Sequence, residues 1–372
     1  MNIGIVCYPT LGGSGVVATE LGKALARKGN QVHFIAYRRP FRLDLGEDNI
    51  EFHKVEISDY DLFEYPPYGL SLTNKIVEIA VSQDLDLLHV HYAIPHASCA
   101  YSARQILAAK NKSLPFITTL HGTDITLIGK EPSLNEVITF AMNQSEILTT
   151  VSESLKNDTL KHFKIEKEIH VVPNFVCSEE YQQAEDIDLR RKYAEDDEKV
   201  ILHVSNFRPV KKVEDVVRVF ALVRKSLKCK LVLVGDGPDA KLIEQLCKEL
   251  GVCNDTVMVG KLKDVRKMLS IADLFLLTSE TESFGLVALE AMASGVPVIS
   301  TNTGGIPEVN IHGKTGYLSS VGDVTDMAKN ALVLLENQQT LEEFQANALK
   351  QASAFDIENI LPRYEHLYQQ LL

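Results

Sequence analysis

One rhythm restricts the fold of this chain more than any other feature: short continuous apolar runs alternate with amphipathic stretches, separated by glycine or polar turns, through both halves of the sequence. A continuous apolar run of strand length suits a strand covered on both faces, and an apolar stripe repeating every 3 to 4 residues suits a helix lying on such a sheet. Strands are expected at 3–8, 31–37, 87–91, 116–120, 147–151 and 169–172, with helices at 14–28, 70–82, 96–110, 134–144 and 152–162. The pattern restarts with strands at 200–204, 230–234, 256–259, 274–277 and 296–300, again with a helix between neighbours. Each half therefore predicts an α/β domain with a doubly wound parallel sheet.

At 372 residues the chain is too long for one ordinary core. An acidic connector at 179–198, poor in apolar anchors and preceded by the turn-like Pro173-Asn174, marks the boundary. The expected domains are 1–175 and 176–352, with a tail at 353–372 able to return to the first domain. Beyond Leu318 the sequence reads as helical, with Asp323 capping a stretch to Leu335 and further helices at 341–352 and 357–372.

Composition removes several function classes. Lys and Arg number 38 against 50 Asp and Glu, a net charge of -12, which argues against nucleic acid or an anionic membrane surface as partner. There is no run of 18 uncharged apolar residues and no basic leader before the first strand, so a cytoplasmic protein is expected. The six cysteines are scattered without a CxxC pair, the pattern of reduced, mostly buried thiols.

Ligands of open parallel sheets bind beyond the carboxyl ends of the strands, and three loops there carry chemistry. In the first, Gly13, Ser14 and Gly15 open a helix and can bring backbone N–H groups close to an anion. This loop fits GxGxxG poorly, and Arg38 and Arg39 stand where a dinucleotide enzyme would end its second strand with an acid. The second loop places Arg208, Lys211 and Lys212 after Asn206 and Phe207, three cations suited to a diphosphate leaving group or, more plainly, to a solvated turn. The third carries Glu282 before a helix and Glu290 within it, so that the N–H groups of Ser283, Phe284, Gly285 and Leu286 face a ligand between two carboxylates. Carboxylates accept paired hydrogen bonds from vicinal hydroxyls, which sugars and riboses both offer. His89, His91 and His96 raise a zinc reading, but no carboxylate or thiolate nearby in sequence completes a site and no Asp-x-Asp follows a donor strand, so no metal is expected.

The Glu-x7-Glu spacing, set among Phe284-Gly285-Leu286 and Gly295-Val296-Pro297-Val298-Ile299, resembles the signature of the retaining glycosyltransferases of family 4, and the resemblance covers nearly the whole chain. It implies the glycosyltransferase B fold, two Rossmann-like doubly wound domains facing a cleft, with the nucleotide sugar on the C-terminal domain and the acceptor on the N-terminal one. By position Glu282 falls on the donor-sugar glutamate, Glu290 on the ribose glutamate and Lys211 on the pyrophosphate lysine. The family's Gly-Arg-Leu is replaced by Ser205-Asn206-Phe207, so Asn206 stands at the arginine's place and Arg208 is the candidate substitute. Leu120-His121-Gly122-Thr123-Asp124 resembles the family's histidine segment, which implies a contact between His121 and the donor sugar. His121, Arg208, Lys211 and Glu282 are the expected catalytic set.

Segments 9–20, 91–96, 121–126 and 205–208 resemble one subgroup of that family. The resemblance implies UDP-N-acetylglucosamine as donor and L-malate as acceptor, in the first step of bacillithiol synthesis, with no cofactor beyond the donor substrate. Malate's two carboxylates call for cations or N–H donors. Gly15, Tyr92 and Thr123 are the candidates, with Arg38 and Arg42 as further cations. A UDP-sugar epimerase of the same fold and a non-catalytic nucleotide-sugar sensor remain as alternatives, and the oligomeric state is open, a homo-oligomer included.

Overall fold

The computed structural model describes residues 1–10, 12–44, 46–57, 64–126, 131–181 and 186–372. These form two compact units, the first built from Met1–Asn174 together with Ile357–Leu372 and the second from Phe175–Asp356.

The first unit contains β1 (Asn2–Val6), β2 (Gln31–Ala36), β3 (Ile50–Lys54), β4 (Leu87–His91), β5 (Phe116–Leu120), β6 (Ile147–Thr150) and β7 (Ile169–Val171). All pair in parallel, in the order β3-β2-β1-β4-β5-β6-β7. Both β4 and β5 are buried at every position; β5 reads as an unbroken apolar or β-branched run, whereas His89 and His91 alternate with the apolar residues of β4. No strand is expected where β3 lies. This edge strand alternates polar and apolar residues and is at most half-buried, so no continuous run announces it.

The second unit contains β8 (Lys199–Asn206), β9 (Cys229–Asp236), β10 (Thr256–Gly260), β11 (Leu274–Leu277), β12 (Val298–Thr301) and β13 (Gly316–Ser319). They too are parallel, in the order β10-β9-β8-β11-β12-β13. The short β13, just ahead of the region expected to be helical, is not among the expected strands, because four residues beginning with glycine carry too little pattern to read. The helix Val213–Val223 lies at the centre of this core, with seven of its residues buried.

The acidic connector expected as a boundary belongs to the second unit. Arg190 donates to Asp273 Oδ2 at 2.7 Å, and the same oxygen accepts from the N–H of Val200 on β8 at 2.7 Å. Asp323 caps the helix Val324–Leu335 through a 3.0 Å bond from Asp326 N to Oδ1. The last helix, Ile357–Gln369, packs in the first unit, where Tyr364 and Tyr368 are fully buried. Burial of side chains this size contributes about 2–3 kcal/mol each. Tyr368 also places its hydroxyl 2.7 Å from His89 Nδ1 on β4.

All six cysteines are free; Cys7, Cys99, Cys229 and Cys247 are buried, Cys177 is half-buried and Cys253 is exposed. Among the described residues no helix is long and apolar enough to cross a membrane.

Candidate active site

In the second unit the strand order reverses between β8 and β11, and open parallel sheets bind ligands at that point. Phe207 is fully buried just beyond β8, which leaves its neighbours Asn206 and Arg208 exposed. Arg208 makes no ion pair or side-chain hydrogen bond to a described residue. A single 3-10 turn, Pro209–Lys211, follows, and Lys212 at φ 45 leads into the helix Val213–Val223.

The loop after β11 is tied to this basic turn. Thr278 Oγ1 lies 3.1 Å and 2.9 Å from the carbonyl oxygens of Lys211 and Lys212, and Glu280 N donates to the carbonyl of Val210 at 2.8 Å. The two charged side chains converge as a result: Lys211 Nζ is 2.5 Å from Glu282 Oε1, and that oxygen also accepts from Ser279 Oγ at 2.9 Å. Side-chain exposures of 22% and 14% keep this pair out of the solvent-screened class of surface ion pairs. Lys212 pairs more loosely with Glu214, at 3.9 Å.

A third loop, after β12, fixes Glu282 from the other side. Thr301 Oγ1 donates to Ser279 O at 2.6 Å, Thr303 Oγ1 to Glu280 O at 3.0 Å, and Gly305 N to Glu282 O at 2.9 Å. Gly304 has φ +55, and a Cβ there would fall 1.9 Å from the carbonyl of Glu282, so only glycine permits the approach. Gly235 does the same beneath the basic turn, where a Cβ would fall 1.8 Å from the carbonyl of Ser205. Neither glycine stood out in the sequence, although the Gly304-Gly305 pair just beyond β12 was a usable signal.

Gly285, at φ +91, opens the helix Leu286–Ala293, and no side chain caps it, so the first-turn N–H groups are left for another acceptor. Phe284 is buried and packs edge-on against Phe355 with centroids 5.7 Å apart, so only its backbone is available to a ligand. Glu290 sits in the second turn of the helix, and its Oε1 accepts from the hydroxyl of buried Tyr181 at 2.7 Å. Beneath the basic turn, His203 has Nδ1 2.8 Å from the carbonyl of Leu276 and Nε2 2.7 Å from Ser205 Oγ, which assigns the proton to Nδ1. Burial lowers its pKa to about 4. Neither Tyr181 nor His203 stood out in the sequence.

In the first unit the order reverses between β1 and β4. Three residues expected here come together: the hydroxyl of Tyr92 is 3.1 Å from Ser14 Oγ and also hydrogen-bonds Thr123. Tyr92 adopts φ 85, a conformation that non-glycine residues seldom hold away from functional sites. Its ring meets Tyr8 edge-on at 5.3 Å and lies 5.4 Å from the ring of His121. Gly13 is exposed at φ +60. Gly15 is buried, and the place of its Cβ is taken by Thr10 Oγ1 and Tyr8 O, so it serves by letting the loop fold back onto the helix Ser14–Arg27. Of the two other cations, Arg42 is 3.8 Å from Glu20 Oε1, whereas Arg38 is exposed over the ring of Tyr37.

Behind His121 runs a chain of imidazoles. His121 Nε2 is 2.8 Å from His91 Nδ1, and His91 stacks on His89 with centroids 4.4 Å apart. His89 Nε2 is 2.7 Å from Thr119 Oγ1, while His96 Nδ1 bonds the carbonyl of His91. Burial holds the pKa of His89 and His121 at about 3, of His96 at about 4 and of His91 well below the usual value, so all four are neutral near pH 7. Asp124 is occupied by backbone, Oδ2 accepting from Ala93 N and Oδ1 from Gly122 N, each at 3.0 Å. Among the described residues these histidines do not converge as a metal-ligating group.

Two parallel sheets, each with polar groups gathered at its switch point, and a cation paired with a carboxylate in the loop before an uncapped helix fit a two-domain glycosyltransferase, and comparison with known families shows one. Residues 11–180 match Glycosyltransferase Family 4 and residues 185–351 match Glycosyl transferases group 1; the chain belongs to this family of glycosyltransferases. It is 47% identical, over 100% of its own length and 97% of the relative's, to N-acetyl-alpha-D-glucosaminyl L-malate synthase of Bacillus anthracis. Among solved structures, Anabaena Alr3699/HepE in complex with UDP and glucose matches with a TM-score of 0.83 at 21% identity, covering 99% of both chains. Sucrose-phosphate synthase from Thermosynechococcus elongatus matches with a TM-score of 0.81 at 20% identity, covering 100% of this chain and 99% of that one. At such identities these two likenesses establish the fold.

Proposed function

We propose that the chain transfers N-acetylglucosamine from UDP-N-acetylglucosamine to the hydroxyl of L-malate, with retention at the anomeric carbon, as the first step of bacillithiol synthesis in the cytoplasm. The observation that carries this reading is the 47% identity, over the full length, to a synthase whose name states the same sugar and acceptor. The site supports it with a donor set of the right chemistry.

The donor falls to the second unit. Glu290 receives the ribose hydroxyls, Glu282 the hydroxyls of the sugar, and the diphosphate lies against Arg208, Lys211 and the N–H groups of Ser283 to Leu286. As the bond between the anomeric carbon and the phosphate oxygen breaks, negative charge accumulates on that oxygen, and these fixed cations and dipoles stabilise it without a metal ion. The malate hydroxyl oxygen bonds the anomeric carbon on the face the phosphate leaves, and its proton passes to the departing phosphate oxygen. Neither glutamate has to act as a base. Neutral His121, with Nε2 engaged by His91, offers Nδ1 to the donor sugar. The acceptor falls to the first unit, where Tyr92, Thr123 and the Gly13 to Gly15 loop provide hydroxyl and N–H donors for malate's carboxylates.

The reading is tested by the product formed from both substrates in the presence of a strong chelator. Proton NMR should show an α-linked N-acetylglucosaminyl malate at an undiminished rate. A β-linked product, or activity lost to chelator and restored by manganese, would contradict the retaining, metal-free step.

A further inference from the structure

The edge of the seven-stranded sheet carries a side-chain cluster that sugar transfer does not use. In the parallel pairing of β2 with β3, His33 stands opposite Glu51 and Ile35 opposite His53. Side chains alternate between faces along a strand, so Glu51 and His53 share one face and His33 joins them across the ladder. His33 Nδ1 lies 3.0 Å from His53 Nε2, and Glu51 Oε2 lies 3.8 Å from the first and 3.6 Å from the second. The two rings stack at 26° with centroids 5.3 Å apart.

We propose that His33, Glu51 and His53 form a binding site for a divalent transition-metal ion of the zinc type. Such an ion, with bonds of about 2.0–2.2 Å in tetrahedral geometry, holds its ligands about 3.3–3.5 Å apart. The three separations here bracket that spacing, so an ion enters with shifts of a few tenths of an ångström. Two imidazole nitrogens and one carboxylate oxygen suit zinc, cobalt or nickel, whereas magnesium and calcium require mostly oxygen. The fourth position falls to water: His33 is buried, but the side chain of Glu51 is 55% exposed, leaving the cluster open on one side. Lys75 and Glu78 of the helix Tyr68–Ser82 also face His53, and they neutralise each other across 2.8 Å.

The site has a structural purpose. β3 is an edge strand held to the sheet by β2 alone. An ion bridging the two strands adds a cross-link where hydrogen bonds on one side are the only ladder. It lies in mid-strand, away from the loops beyond β1 and β4, so it stabilises the unit without entering the transfer reaction.

The test titrates the metal-stripped full-length chain with Co(II) and Zn(II). One equivalent of Co(II) should produce the visible d–d absorption of a low-symmetry site, and Zn(II) should bleach it. Saturating Zn(II) should raise the thermal unfolding midpoint by several degrees, with the rate of sugar transfer unchanged. His53→Gln, at a partly exposed position that tolerates the change, should abolish both effects, and Glu51→Gln should weaken binding by about tenfold or more. A cobalt spectrum no different from the aqueous ion, or bands and a midpoint shift that survive in His53→Gln, would overturn the proposal.

Discussion

Lys211 Nζ stands 2.5 Å from Glu282 Oε1, so the cation assigned to the diphosphate and the carboxylate assigned to the sugar are held as one unit. Residues that act as a unit lose their effects together. Lys211→Ala should lower kcat/KM by about 100- to 1,000-fold, the scale of losing one fixed charge-stabilising group. Glu282→Ala should cost a comparable amount, and the double variant much less than the product of the two. Steady-state kinetics of the three variants measure this, and strictly multiplicative losses would mean that the pair is incidental.

Tyr181 donates to Glu290 at 2.7 Å and so fixes the carboxylate assigned to the ribose. Tyr181→Phe removes one hydrogen bond, a loss of about 1 kcal/mol. The expected result is a rise of about fivefold in KM for the UDP-sugar with kcat little changed, since ribose contacts persist from ground state to transition state. An unchanged KM would remove Tyr181 from the donor site.

Arg208 is exposed and contributes nothing visible to the fold. Arg208→Ala should therefore leave the thermal midpoint unchanged while turnover falls by well over tenfold, because the guanidinium stabilises the departing phosphate. Near-normal turnover would show that the family's arginine has no replacement here and that Lys211 acts alone.

Burial depresses the pKa of His89 and His121 to about 3 and of His96 and His203 to about 4. In the unfolded chain these imidazoles titrate near 6.5, so below that pH the unfolded state binds more protons and native stability falls. Each contributes up to about 1.4 kcal/mol per pH unit until its folded value is reached. Asp124, raised by the same burial, acts in the opposite sense. The urea midpoint should be level from pH 8 to 7 and fall steeply below pH 6; a level midpoint down to pH 5 would mean that the histidines are not buried as described.

Much of this was legible in the sequence, and the failures share causes. Strands β4, β5 and β11 coincide with their expected spans because they are buried throughout, and even β4, with two histidines, keeps enough apolar residues to show. Edge strand β3 and short β13 do not, because half-burial and brevity erase the pattern. Lys211, Glu282 and Glu290 could be singled out because charges beyond strand ends are conspicuous. Tyr181 could not, since it meets Glu290 across 109 positions. Gly235, Gly304 and Gly305 act through backbone approach alone, which leaves no chemical signature beyond the glycine itself.

The central claim is tested most directly by incubating the protein with UDP-N-acetylglucosamine, with and without L-malate, and following UDP release and the fate of the sugar. UDP should appear with malate present, in step with N-acetylglucosaminyl malate, and its release should be minimal without it. An epimerised sugar nucleotide formed without malate, or binding of the donor with no turnover under either condition, would contradict the account.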